Sequence, residues 1–183
     1  MARAASIGQP APGFSIPDTD GRMVNLSDFR GRPVVLEWLN PGCPFVRKHY
    51  QGNMQTLQRE FTGRGVAWLS IKSTDMASHD YKPAPALAQW VQEQQAAPTA
   101  VLMDEDGMAG RAMGARVTPH MFIINADGML VYAGAIDSIA SFRVSDIERA
   151  TNFVRQGLNE LLAGQPISVP LTQPYGCSIK FRT

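Results

Sequence analysis

Cysteine is scarce in this chain, with only Cys43 and Cys177 among 183 residues. Two cysteines cannot staple a disulfide scaffold, and their separation of 134 positions leaves open whether they meet. Histidine is nearly as rare. His49, His79 and His120 have no zinc-finger spacing among them, which argues against a structural zinc site. No apolar run approaches the roughly 18 to 20 residues needed to span a bilayer. Charge of one sign is missing too: 17 Lys and Arg against 16 Asp and Glu leave a formal net charge of +1. Neither nucleic acid nor an acidic membrane is therefore an expected partner. No apolar segment follows Arg3, so the sequence as written carries no secretion signal and a cytoplasmic protein is expected. The alternative is a periplasmic protein, because Ala2-Arg3-Ala4-Ala5-Ser6 looks like the remnant of a small-residue cleavage site. No cofactor is expected.

What is present fits one domain over residues 1–183, long enough to bury its own core and closing in an extended tail from 165 to 183. Apolar residues at 44% and charged residues at 18% are ordinary for a soluble globular protein.

The most informative stretch runs from Val34 to Tyr50. Val34-Val35-Leu36-Glu37-Trp38-Leu39 reads as a buried strand, and Asn40-Pro41-Gly42 breaks it with a turn. Cys43 follows, then Pro44, a residue suited to the first turn of a helix. A cysteine there meets unpaired backbone N–H groups and the positive end of the helix dipole. Those lower its pKa and favour the thiolate, the reactive form. Arg47 and Lys48, one turn on, would add positive potential. The bland alternative is that Cys43 is a small buried hydrophobe.

The rest of the chain alternates strands and helices. The prolines near Gly8-Gln9-Pro10-Ala11-Pro12 impose an extended lead-in. Phe14-Ser15-Ile16 and Met23-Val24-Asn25-Leu26 flank a turn at 18–22, giving an N-terminal β-hairpin, then a helical turn capped by Ser27 and ended by Gly31. A helix is expected from Pro44 to Phe61, with Met54, Leu57 and Phe61 on its core face. Val66 to Lys72 is the next strand. A polar loop at 73–83 contains His79 and Tyr81. Pro85 to Gln95 reads as a helix, Val101-Leu102-Met103 as a strand, and Met108 to Met113 as a short helix. The nine methionines suit core gap-filling better than a copper surface. Asp104-Glu105-Asp106-Gly107 lacks the ligand alternation of a calcium loop.

Val117-Thr118-Pro119-His120-Met121-Phe122-Ile123-Ile124 is a Thr-Pro turn running into a strand. Asn125-Ala126-Asp127-Gly128 turns it into a hairpin with Leu130 to Gly134. Ser145-Asp146-Ile147-Glu148 has the form of a capping box opening a helix to Leu162.

The segment Glu37 to Tyr50 resembles the active-site segment of the thioredoxin superfamily. In that superfamily a strand runs into a Trp-containing turn and a Cys-x-x-Cys opening a helix. Cys43 matches the nucleophilic cysteine, Val46 stands where the second would be, and Glu37 matches the buried acid. The longer pattern Asn40-Pro41-Gly42-Cys43-Pro44-Phe45-Val46-Arg47-Lys48-His49-Tyr50 is similar to a bacterial branch of peroxiredoxin-like redoxins, in the alkyl hydroperoxide reductase/thiol-specific antioxidant group. Gly8-x-Pro10-Ala11-Pro12 with Leu26-Ser27-Asp28-Phe29-Arg30-Gly31 resembles the same group's N-terminal module. Pro174-Tyr175-Gly176-Cys177-Ser178-Ile179-Lys180 resembles its terminal motif. True peroxiredoxins carry Pro and Thr or Ser where this chain has Leu36 and Asn40, and Arg116 is only a loose substitute for their activating arginine.

The resemblance implies an α/β thioredoxin fold: a central mixed sheet flanked by helices, with the N-terminal hairpin added. It implies that Pro119 is cis, that Thr118-Pro119 faces Cys43, and that Asn40, Pro44, Thr118 and Pro119 border the substrate. Cys43 would attack a peroxide and be resolved by Cys177 or an external thiol reductant, with Glu37 or His120 handling protons. Two alternatives stay open: exchange with a protein disulfide, and a Cu(I)-binding chaperone using Cys43, Cys177 and a histidine. A homodimer is a further open expectation.

Overall fold

The computed structural model describes residues 5–183. Of the stretch Ala2-Arg3-Ala4-Ala5-Ser6 that looks like a cleavage remnant, the first three residues lie outside them. Five strands form the central sheet: β3 (Val34–Trp38), β4 (Ala67–Lys72), β5 (Ala100–Met103), β7 (His120–Ile124) and β8 (Leu130–Gly134), in the order β5-β4-β3-β7-β8. β3, β4 and β5 run parallel, while β7 is antiparallel to both β3 and β8. The mixed sheet is that of the thioredoxin fold. β1 (Ser15–Pro17) and β2 (Met23–Asn25) make the N-terminal hairpin. A 3-10 turn at Leu26–Phe29 follows it. Asn25 is the cap there in place of Ser27, because Asp28 reaches back to the Asn25 N–H at 3.1 Å.

The side-chain period of two divides the strands between two packing layers. Val34, Leu36, Trp38, Phe122 and Ile124 face one layer, closed by the hairpin and by α4 (Met108–Met113). Val35, Trp68, Met121 and Ile123 face the other. There they meet Val46 of α1 (Pro44–His49), Met54, Leu57 and Phe61 of α2 (Asn53–Thr62), and Val154 and Leu158 of α5 (Phe153–Leu162). A smaller cluster seats α3 (Ala84–Glu93) through Leu87 against Leu39, Val101 and Met103.

Two helices differ from expectation. The run from Pro44 to Phe61 is broken into α1 and α2 at Gly52, whose φ of 125° lies in the region favouring glycine. Gln55 secures the break by donating to the Tyr50 carbonyl and accepting from the Gly52 N–H. The helix expected from Ser145 begins instead at Phe153, capped by Asn152, which accepts from the Arg155 N–H at 2.9 Å. Asp146 is buried and takes Ser141, Arg143 and Arg149, so that segment folds as a short 3-10 turn and a loop. The tail ends in β9 (Cys177–Ser178), which pairs antiparallel with β6 (Val117–Thr118). No helix among the described residues is long and apolar enough to cross a membrane.

Candidate active site

β3 delivers the chain to the turn that carries Cys43. Asn40 closes this turn twice: its Oδ1 accepts from the Gly42 N–H at 3.2 Å and its carbonyl from the Cys43 N–H at 3.0 Å. Cys43 is the N-cap of α1 and Pro44 its first residue. The cysteine is buried at 2% exposure. Facing it is the Thr118-Pro119 peptide, which is cis. The Thr118 carbonyl oxygen lies 3.3 Å from Cys43 Sγ. Thr118 is itself buried, and its Oγ1 has no hydrogen-bond partner among the described residues.

β9 lies alongside with Thr118 opposite Cys177, and the two cysteines are joined as a disulfide with Cα atoms 6.0 Å apart. Gly176 is the residue that allows this approach, since a Cβ there would overlap the Thr118 carbonyl. Cys177 is half-buried, whereas Cys43 is enclosed. The partner sulfur thus comes from the tail, on β9 beside β6, while Val46 at position 46 is packed in the core.

Glu37 lies on the sheet face that carries Cys43, fully buried. It accepts from Tyr50 (2.6 Å), Ser70 (2.8 Å), Trp68 Nε1 (2.9 Å) and Gln58 (3.2 Å). Burial raises its pKa, against the lowering effect of those four donors. None of its hydrogen bonds goes to Cys43.

His120 follows the cis-proline at the start of β7. The resemblance makes it one of two candidates for handling protons, with Glu37 the other; alternation along β7 sends its ring to the layer of Phe122, on which it stacks at 4.5 Å. Its Nδ1 accepts from the Arg116 N–H. Burial, then the nearby Arg116, lowers its pKa to about 4.

A second polar cluster went unforeseen. Lys48, His49 and Asp137 are buried around the Tyr175 hydroxyl, two residues before Cys177. Lys48 and Tyr175 belong to stretches already distinctive in sequence, but their meeting spans 127 positions. Arg47 is exposed and donates to the Pro41 carbonyl, bracing the turn. Among the described residues, no group of three or more His, Cys, Asp and Glu side chains converges as a metal site would.

A thioredoxin-fold domain with a buried helix-capping cysteine, a facing cis-proline and a partner cysteine defines the redoxin class. The chain belongs to the AhpC/TSA family, which it matches over residues 7–133. Among curated relatives, it is 40% identical over 72 residues to peroxiredoxin Bcp of Escherichia coli, covering 37% of this chain and 43% of that one. It is 25% identical over 128 residues to the thiol-disulfide oxidoreductase ResA of Bacillus subtilis, covering 69% and 65%. The chain spans less than half the length of the peroxiredoxins it matches, 34% of the one from rice and 43% of Bcp. A hypothetical protein from Sinorhizobium meliloti has the same fold, with a TM-score of 0.83 at 21% identity over 99% of this chain and 97% of that one.

Proposed function

We propose that this protein is a thiol oxidoreductase that reduces a peroxide at Cys43 and returns through a Cys43–Cys177 disulfide. The observation that carries the reading is the juxtaposition of the two cysteines across the cis Thr118-Pro119 segment. The Cys43 thiolate attacks one peroxide oxygen, forming an S–O bond as the O–O bond breaks. An alcohol or water leaves after protonation, and Cys43 is left as sulfenic acid. The Cys177 thiolate then attacks that sulfur, the S–S bond forms, and the sulfenic oxygen departs as water. An external thiol attacks the more accessible Cys177 sulfur and expels Cys43 as thiolate, and a second thiol completes the reduction. Two thiols thus supply the two electrons that the peroxide takes. Asn40 and Pro44 shape the nucleophile's turn, and Glu37 is the buried acid on its side of the sheet.

A second reading, exchange with a protein disulfide, is favoured by the similarity to ResA, which extends over more of the chain than the peroxiredoxin match. The test is the rate of fully reduced protein with hydrogen peroxide, followed by non-reducing peptide mapping. A rate well above that of a free thiol, lost in Cys43→Ser and yielding the Cys43–Cys177 linkage, is expected. A rate no better than a free thiol sinks the peroxide reading and leaves disulfide exchange.

A further inference from the structure

The tail is held down by far more than its disulfide. Upstream of Cys177, the Ala133 N–H donates to the Pro170 carbonyl at 3.0 Å, and Thr172 Oγ1 lies 2.7 Å from the Tyr132 hydroxyl. Downstream, the Ile179 N–H donates to the Arg116 carbonyl and the Asp75 N–H to the Lys180 carbonyl. Phe181 fills a notch that exists because positions 107 and 110 are glycine: a Cβ on either would strike its ring.

The strongest single anchor is Tyr175. Its hydroxyl donates to Asp137 Oδ1 at 2.5 Å. It accepts from His49 Nε2 at 2.9 Å and from Lys48 Nζ at 3.3 Å. The chain of donors is consistent end to end: His49 Nδ1 accepts from Asn53 Nδ2, which leaves Nε2 as the protonated nitrogen. Burial, then neighbouring Lys48, holds His49 near a pKa of about 3, and therefore neutral. Burial and Asp137 raise the Tyr175 pKa, so the phenol keeps the proton it donates. The ring also packs edge-on against Phe45, two residues after Cys43.

We propose that this latch makes Tyr175 a specificity-determining residue, keeping the tail docked over Cys43 in the reduced protein so that Cys43 reacts with small oxidants and not with protein disulfides. The inference rests on Cys43 being the nucleophile. Nothing in the latch depends on the S–S bond, so breaking that bond leaves the anchors in place. The edge of β6, where an extended partner backbone would pair beside Cys43, is already taken by β9. A peroxide needs only the space that opens between two separated sulfurs. A protein disulfide needs the strand edge itself.

The test uses reduced full-length Cys177→Ser, in which no intramolecular disulfide can form. Cys43 is reacted in parallel with methyl methanethiosulfonate, a small probe, and with dithiobis(nitrobenzoate), a bulky one. In Cys177→Ser combined with Tyr175→Ala, the bulky-to-small rate ratio is expected to rise about tenfold or more, as the docked state loses its hydrogen bonds. The combination with Tyr175→Phe keeps the ring and is expected to fall between. Asp137→Asn in the same background weakens the latch without touching the tail, and should raise the ratio too. A ratio unchanged in the Tyr175→Ala and Asp137→Asn backgrounds overturns the proposal. A slow reaction with hydrogen peroxide alongside a shifted ratio sinks the peroxide reading alone and leaves the filter supported, with small disulfides as the oxidants it admits. Inertness of Cys43 to both probes in every background overturns both.

Discussion

The two buried histidines make stability fall in acid, by an amount that can be worked out. Burial and a neighbouring cation lower the pKa of His49 to about 3 and of His120 to about 4, from the ordinary 6.5. The unfolded chain takes up a proton at each site near its ordinary pKa, while the native protein does not until the pH is far lower. Between those values the unfolded state binds more protons, so stability drops as pH falls. By about pH 5 each histidine has lost roughly 1.5 units times 1.36, or about 2 kcal/mol. Glu37 and Asp104 act in the opposite sense. Burial raises both carboxyls, so they favour the native state as pH falls through their own range. Comparison with a variant removes that counter-effect, because the carboxyls are common to both proteins. Urea unfolding of the disulfide-bonded protein, followed by the fluorescence of buried Trp38 and Trp68, would be run from about pH 8 to about pH 5 for wild type and for His49→Gln and His120→Gln. Each variant is expected to lose about 2 kcal/mol less than wild type across that range. Parallel pH curves for wild type and both variants would refute the assignment of neutral buried imidazoles.

Two further outcomes follow from the site. Glu37→Ala strands buried donors on Tyr50, Gln58, Trp68 and Ser70 and is expected to cost about 3 kcal/mol or more. Glu37→Gln, able to accept on one side and donate to Tyr50 on the other, should cost less than half as much in the same urea titration; equal costs would show that the site needs acceptors at both oxygens and that keeping the shape and one acceptor does not support it. Gly176→Ala places a Cβ against the Thr118 carbonyl, so β9 must lift from β6. Formation of the intramolecular disulfide in stopped-flow oxidation is expected to slow about tenfold or more, and an unchanged rate would mean the strand pairing does not place Cys177.

The local elements were legible because their signals are local. Asn40-Pro41-Gly42-Cys43-Pro44 reads as strand end, turn and helix start from backbone preferences alone, and β8 and α4 fall where the pattern puts them. The misreadings are equally physical. Ser145 to Glu148 has the spacing of a capping box, but burial of Asp146 against two arginines outweighs it. Gly52 interrupts an apolar periodicity that continues past it in register, so the break leaves no trace in the pattern of Met54, Leu57 and Phe61.

The sequence by itself determined the alternation of strands and helices, the seat of Cys43 at a helix start and the Thr118-Pro119 turn, because each depends on residues a few positions apart; the layered fold came only as what the family resemblance implies. Tertiary structure alone decided the remainder. Whether Cys177 meets Cys43 is set by the pairing of β9 with β6, and whether Tyr175 finds His49 by contacts 126 positions apart. The direction of His120 is set by which face of β7 is turned toward α1, a choice of side that a period of two leaves undetermined until the neighbouring strands are in place.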